Sequence, residues 1–148
     1  MLARKIKYTN LNGEERERTY YFHFSKAEVM EMELSKEGGF EVFIQRIIDT
    51  RDQKELVRMF RELIQESYGI KSDDGEQFIK NEKVLNEFVQ SEAYSELYME
   101  LATNTDAAIE FINGIFPQQI MAEVQNDPEY QKKIAEYKQM ISKEKKPE

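Results

Sequence analysis

IKYTNLNGEERERTYYFHF, residues Ile6 to Phe24, holds two runs of alternating apolar and polar side chains: Ile6 and Tyr8 before Asn12-Gly13, and Tyr20, Phe22 and Phe24 after it. Period-two alternation around a turn dipeptide predicts an antiparallel hairpin. Parity chooses its register. A two-residue Asn-Gly turn would set Ile6 opposite Thr19 and split the apolar face between the two sides of the ribbon. A three-residue loop, Leu11-Asn12-Gly13 with Gly13 left-handed, pairs Ile6 with Arg18 and gathers Tyr8, Tyr20, Phe22 and Phe24 on one face. The three-residue loop is therefore expected.

Working outward, Ser25 with Glu28 forms a capping box, so a helix should open directly after the second strand and end at Gly38-Gly39. Phe40, Phe43, Ile44, Ile47 and Ile48 fall at helical spacing. Asp52 with Glu55 caps a further helix carrying Leu56, Phe60, Leu63 and Ile64, stopped near Gly69. Ser72-Asp73-Asp74-Gly75 is a turn, and Ile70 before it with Phe78 and Ile79 after it fits either a short hairpin or an extended arm. Helical spacing resumes at Asn81 with Val84, Leu85, Phe88 and Val89, and Ser91 caps a helix bearing Tyr94, Leu97, Tyr98 and Leu101. Thr103-Asn104-Thr105-Asp106 breaks and recaps the chain. Ile109, Phe111, Ile112, Ile115 and Phe116 follow, and Asn113-Gly114 with Pro117 ends that run. Asp127-Pro128 opens a last helix with the stripe Tyr130, Ile134, Tyr137 and Ile141, followed by a lysine-rich tail. The expected fold is mainly α within the α+β class: an N-terminal hairpin and a compact bundle of six to seven helices. Residues 1–125 would form one globular domain, with the hairpin over 3–24 and helices over 26–122. Residues 126–148 would form an amphipathic helix and basic tail.

A length of 148 residues suits one domain. The net charge of −8 disfavours phosphate backbones and anionic membranes as partners. No cysteine is present, which excludes disulfides and thiolate chemistry. The N-terminus lacks the apolar stretch of a signal peptide, and no run approaches the ~20 apolar residues of a membrane span, so a soluble, intracellular protein is expected. Charge is distributed unevenly. From Val84 to Gln131 the chain runs 48 residues without Lys, Arg or His, while nine Asp and Glu stand among Phe, Tyr, Leu, Ile and Met. The cations for such a block come from elsewhere in the fold or from a partner.

Signals for chemistry are few. His23 is the single histidine and faces away from Phe22 and Phe24, as a structural strand residue does. No glycine-rich phosphate loop and no nucleophile with a nearby histidine occurs. Asp73-Asp74-Gly75-Glu76 lacks the alternating ligands and closing glutamate of a calcium loop. No cofactor and no metal site is expected. Glu92, Glu96 and Glu100 make an i, i+4, i+8 stripe whose like-charge cost is only about 0.2–0.5 kcal/mol per pair, so a solvated face explains it as readily as a docking stripe for a basic helix. The methionines, Met30, Met32, Met99 and Met121 among them, suit core filling or an adaptable binding surface. The Tyr130 to Ile141 stripe could pack on its own domain, pair with a second copy, or clamp a partner helix.

The Asn12-Gly13 turn, the strand-to-helix join from Tyr21 to Ser35, Gly38-Gly39, and SEAYSELYMELATNTDAAIEFINGIFP at Ser91 to Pro117 together resemble tail assembly chaperones of long, flexible-tailed bacteriophages. The resemblance covers about residues 5–120 and is weakest after Met121. It implies a non-enzymatic protein of the host bacterial cytoplasm that binds the long, helical tape measure protein while tail-tube subunits assemble, and that is absent from the finished virion. It also implies possible contact with the tail-tube protein, self-association, and a longer product made by ribosomal frameshifting, for which the A-rich codons of Lys143 to Lys146 would be suitable. A structural tail or connector subunit is the alternative. The resemblance brings no catalytic motif. The partner-facing candidates are therefore taken from the acidic block and last helix: Glu92, Tyr94, Glu96, Leu97, Tyr98, Glu100, Leu101, Phe111, Ile115, Phe116, Tyr130, Ile134, Tyr137 and Ile141.

Overall fold

A computed structural model describes residues 1–35 and 53–117 and, beyond them, Ala122, Pro128, Gln131, Lys132, Ala135 and Gln139 in helical conformation. Strands β1 (Leu2–Thr9) and β2 (Glu15–Phe22) form the N-terminal hairpin, with Ile6 opposite Arg18 as parity requires. Gly13 has φ of +79° and its N–H donates to the Asn10 carbonyl at 3.0 Å, closing the three-residue loop. Asn10 adds a second clamp, since its Oδ1 accepts from the N–H groups of Asn12 and Glu14 at 3.0 and 2.9 Å. That side-chain turn reinforces the backbone closure of the loop.

Helix α1 (Lys26–Ser35) starts at the capping box: the Glu28 N–H donates to Ser25 Oγ at 3.1 Å and the Ser25 N–H donates to Glu28 Oε1 at 2.9 Å. Helix α2 (Gln53–Ser67) buries Met59, Phe60, Leu63 and Ile64 along one stripe. It leads without a loop into β3 (Tyr68–Lys71), which turns at Ser72 to Gly75 into β4 (Phe78–Ile79). Then come α3 (Glu82–Val89), α4 (Glu92–Thr103) and α5 (Thr105–Ile115). Their caps are side-chain oxygens: Asn81 Oδ1 accepts from Val84 N–H, Ser91 Oγ from Tyr94 N–H, and Asn104 Oδ1 from Ala107 N–H. Asn104 ends α4 and begins α5, as the break at Thr103 to Asp106 predicts.

The expected hairpin plus six- to seven-helix bundle is corrected by two findings. The described residues form five helices, and they pack on a four-stranded antiparallel sheet of order β1-β2-β3-β4. The second hairpin is real, with Ile70 opposite Ile79, and it joins the first because Tyr21 pairs with Gly69 and Phe22 with Tyr68. Gly69 does not merely stop a helix. A Cβ there would meet the Phe78 ring at 2.5 Å and the Ile79 carbonyl oxygen at 2.9 Å, so the close approach of β4 requires glycine. The expected helix end at Gly38-Gly39, the Phe40 to Ile48 stripe and the Asp52 cap lie outside the described residues.

One core joins sheet and helices. Ile6 and Phe22 point inward from the hairpin, Phe88 from α3, Leu97 and Leu101 from α4, and Phe111 and Ile115 from α5, all buried. The Phe24 N–H donates to the Ile115 carbonyl at 2.7 Å, tying the end of the hairpin to the last turn of α5.

Candidate partner-binding surface

Helix α4 lies against β1, and the candidate residues on it divide by face. Ala93, Leu97 and Leu101 are buried toward the sheet. Tyr94 and Tyr98 are half-buried in an aromatic row, with Tyr94 edge-on to Phe88 at 5.5 Å and its hydroxyl accepting from Gln65 Nε2 at 3.2 Å. Phe111, Ile115 and Phe116 are at most 1% exposed. Leu97, Leu101, Phe111, Ile115 and Phe116 therefore build the core and offer nothing to a partner in this conformation. Tyr130, Ile134, Tyr137 and Ile141 lie outside the described residues.

The glutamate stripe divides too. Glu92 is exposed. Glu96 lines an open groove of about 500 Å³ between α4 and the far end of the hairpin, together with Lys7, Tyr8, Thr9, Glu15, Arg16 and Glu17. Glu100 is 2.6 Å from the Arg4 guanidinium, whose side chain is 16% exposed against 43% for the glutamate. Arg4 occupies the inward parity of β1, between Leu2 and Ile6, where an unpaired cation would be costly. Thus one acid of the block is met inside the fold and its neighbours face water. Met99, 57% exposed, is also on the outer side of α4.

This geometry yields a measurable coupling. Arg4→Ala, Glu100→Ala and the double variant, compared by urea unfolding, should give an interaction energy of about 1 kcal/mol, reduced from a buried pair's value because Glu100 is partly solvated. A coupling below about 0.2 kcal/mol would return Glu100 to the solvated face.

Elsewhere the charged residues serve the frame. Lys80 Nζ is 2.7 Å from Glu28 Oε2 and sits over the Phe24 ring at 4.7 Å, pinning α1 to the second hairpin. Burial disfavours the Glu28 carboxylate, but Lys80 and Ser25 outweigh it and hold its pKa below 4.5. His23 has a buried Nδ1 with no hydrogen-bond partner and packs edge-on to Phe78 at 5.6 Å. Burial, then the N-terminal ammonium and Lys80, lower its pKa from 6.5, with Glu28 opposing. Both groups bind protons more readily in the unfolded chain. Stability should therefore fall as pH drops below 6.5 through His23, and again below 4.5 through Glu28. Urea midpoints measured from about pH 8 to about pH 4 should show both losses, and His23→Gln should remove only the first. Equal midpoints across the upper window in the parent chain would contradict the lowered pKa of the half-buried imidazole.

The Ser72 to Gln77 turn is closed by its own groups: Ser72 Oγ donates to Asp74 Oδ1 at 2.6 Å, and that oxygen accepts the Glu76 N–H at 3.0 Å. Hydrogen bonding from Ser72 and Glu76 keeps the Asp74 carboxyl below its usual range. No cluster of His, Cys, Asp or Glu that could hold a metal occurs among the described residues, and none of their helices is long and apolar enough to cross a membrane.

The fold and this surface define an α+β domain whose ionisable groups serve packing, ion pairs and caps, with a mixed-charge groove beside an acidic helix. The chain matches the family model described as phage tail assembly chaperone over residues 1–148 and belongs to that family. No curated protein and no solved structure shows significant similarity to it. The match includes the segment after Met121 where the resemblance in sequence was weakest, and the family is not a class of enzymes.

Proposed function

We propose that the chain binds the tape measure protein in the host bacterial cytoplasm during tail-tube assembly and is absent from the mature virion. The observation carrying this reading is its membership, along its whole length, of the phage tail assembly chaperone family. The described surface adds a physical rationale. The outer side of α4 offers Glu92, Glu96 and Met99 to a partner, beside the basic and acidic rim of the hairpin groove. Contacts of this kind are individually weak and salt-sensitive, which suits a chaperone that must yield its client to tube subunits. Leu97, Leu101, Phe111, Ile115 and Phe116 are occupied in the core, so on the described surface the client contact falls to polar and half-exposed side chains.

Mass spectrometry of purified phage particles, set against infected-cell lysate, tests this. The chain should be abundant in lysate and missing from particles. Its recovery in particles at a stoichiometry comparable with tail subunits would instead make it a retained structural component.

A further inference from the structure

We propose that the outer edge of β1 is a docking edge for an acidic, extended segment of another chain, which adds to the sheet alongside Ala3 to Thr9. The hydrogen-bond phase of the hairpin establishes which groups are available. The Asn10 N–H donates to the Glu14 carbonyl at 2.9 Å, so these two residues form a bonded pair. Bonded pairs recur at every second residue of an antiparallel ladder. Tyr8, Ile6, Arg4 and Leu2 accordingly turn their peptide groups toward β2, while Ala3, Lys5, Lys7 and Thr9 turn theirs away. The far side of β2 has the matching phase, since the His23 N–H donates to the Ser67 carbonyl at 2.8 Å. As β1 is the outermost strand, no backbone hydrogen bond from another described residue meets these outward groups.

Side chains at the same four positions are exposed. Lys5 and Lys7 approach a single carboxylate, that of Glu17, at 3.2 and 3.6 Å, with Glu15 further along the same face opposite Thr9. Residues 1–13 contain Arg4, Lys5 and Lys7 and no acid, in a chain whose net charge is −8. Edge lysines deter neutral and basic strands from pairing. A strand carrying Glu or Asp at alternate positions meets the opposite condition, because its carboxylates fall beside Lys5 and Lys7 while its backbone completes the open ladder. No described strand of a second copy fits this edge. β1 against β1 would set Lys5 and Lys7 of one copy against the same two cations of the other, and the acids of α3 to α5 belong to helices whose backbone groups are already bonded. The occupant is an extended acidic segment of a different protein, and the inference does not depend on where the tape measure chain binds.

Amide hydrogen exchange by NMR on the full chain tests it, with a synthetic seven-residue peptide of alternating Val and Glu as the probe and its Val and Lys counterpart as the control. In the free protein the amides of Ala3, Lys5, Lys7 and Thr9 should exchange fast and those of Arg4, Ile6 and Tyr8 slowly. The Glu peptide should slow the first set by at least about tenfold while the Lys peptide does nothing. Lys5→Glu with Lys7→Glu should reverse that preference, with the slow amides of Arg4, Ile6 and Tyr8 reporting that the hairpin is intact. Outward amides already slow in the free chain, no response to the Glu peptide, or equal responses to both peptides would each overturn the proposal.

Discussion

Phe22→Ala should destabilise the protein by about 3–5 kcal/mol, the largest loss expected from any single truncation in the sheet. Phe22 has no exposed surface, and its ring meets those of Tyr68 at 5.7 Å, Phe88 at 5.8 Å and Phe111 at 5.3 Å. These three rings come from β3, α3 and α5, so the cavity would open where strands and helices meet and no single element could collapse to fill it. Native domains hold only about 5–15 kcal/mol in total, and the loss should appear as a large drop in the urea midpoint. A cost below about 1 kcal/mol would mean that the hairpin and helices do not share one core.

Gly69→Val should cost about 1–3 kcal/mol or more by overpacking, with the damage concentrated in the second hairpin. The added Cβ would lie 2.5 Å from Phe78 Cε2 and 2.9 Å from the Ile79 carbonyl oxygen. A ring can rotate, but the carbonyl belongs to β4 and moves only if the pairing of Ile70 with Ile79 opens. Amide exchange should therefore accelerate at Ile70 and Ile79, while the Asn10–Glu14 turn, distant from the substitution, keeps its protection. Unchanged stability together with unchanged exchange at Ile70 and Ile79 would contradict the close approach.

Much of the fold was legible because it rests on local signals. The hairpin register followed from the parity of Ile6 against Tyr20 and Phe22, and the starts of α1, α4 and α5 from Ser25, Ser91 and Asn104. β3 was harder to read. Four residues directly after a helix contain too few alternations to establish a period, and Gly69 looks like a helix stop although it serves strand packing. Joining that hairpin to β2 is a long-range pairing with no local signature.

The binding surface was less legible for a related reason. Helical periodicity shows that Leu97, Leu101, Phe111 and Ile115 share apolar faces, but a core and a client cover such faces with the same side chains. Arg4 was the overlooked signal. A cation between Leu2 and Ile6 at inward parity requires an acid from a neighbouring element, and the acidic block supplies Glu100. The block that lacks lysine is thus partly answered from within, by the strand that lacks acid.

Co-expression with the tape measure protein of the same phage tests the central claim most directly. The tape measure chain should stay soluble and co-purify with this protein, in a complex weakened by high salt and by Glu92→Lys with Glu96→Lys. A tape measure chain that remains equally insoluble with and without this protein, and is not recovered with it at low salt, would contradict the account.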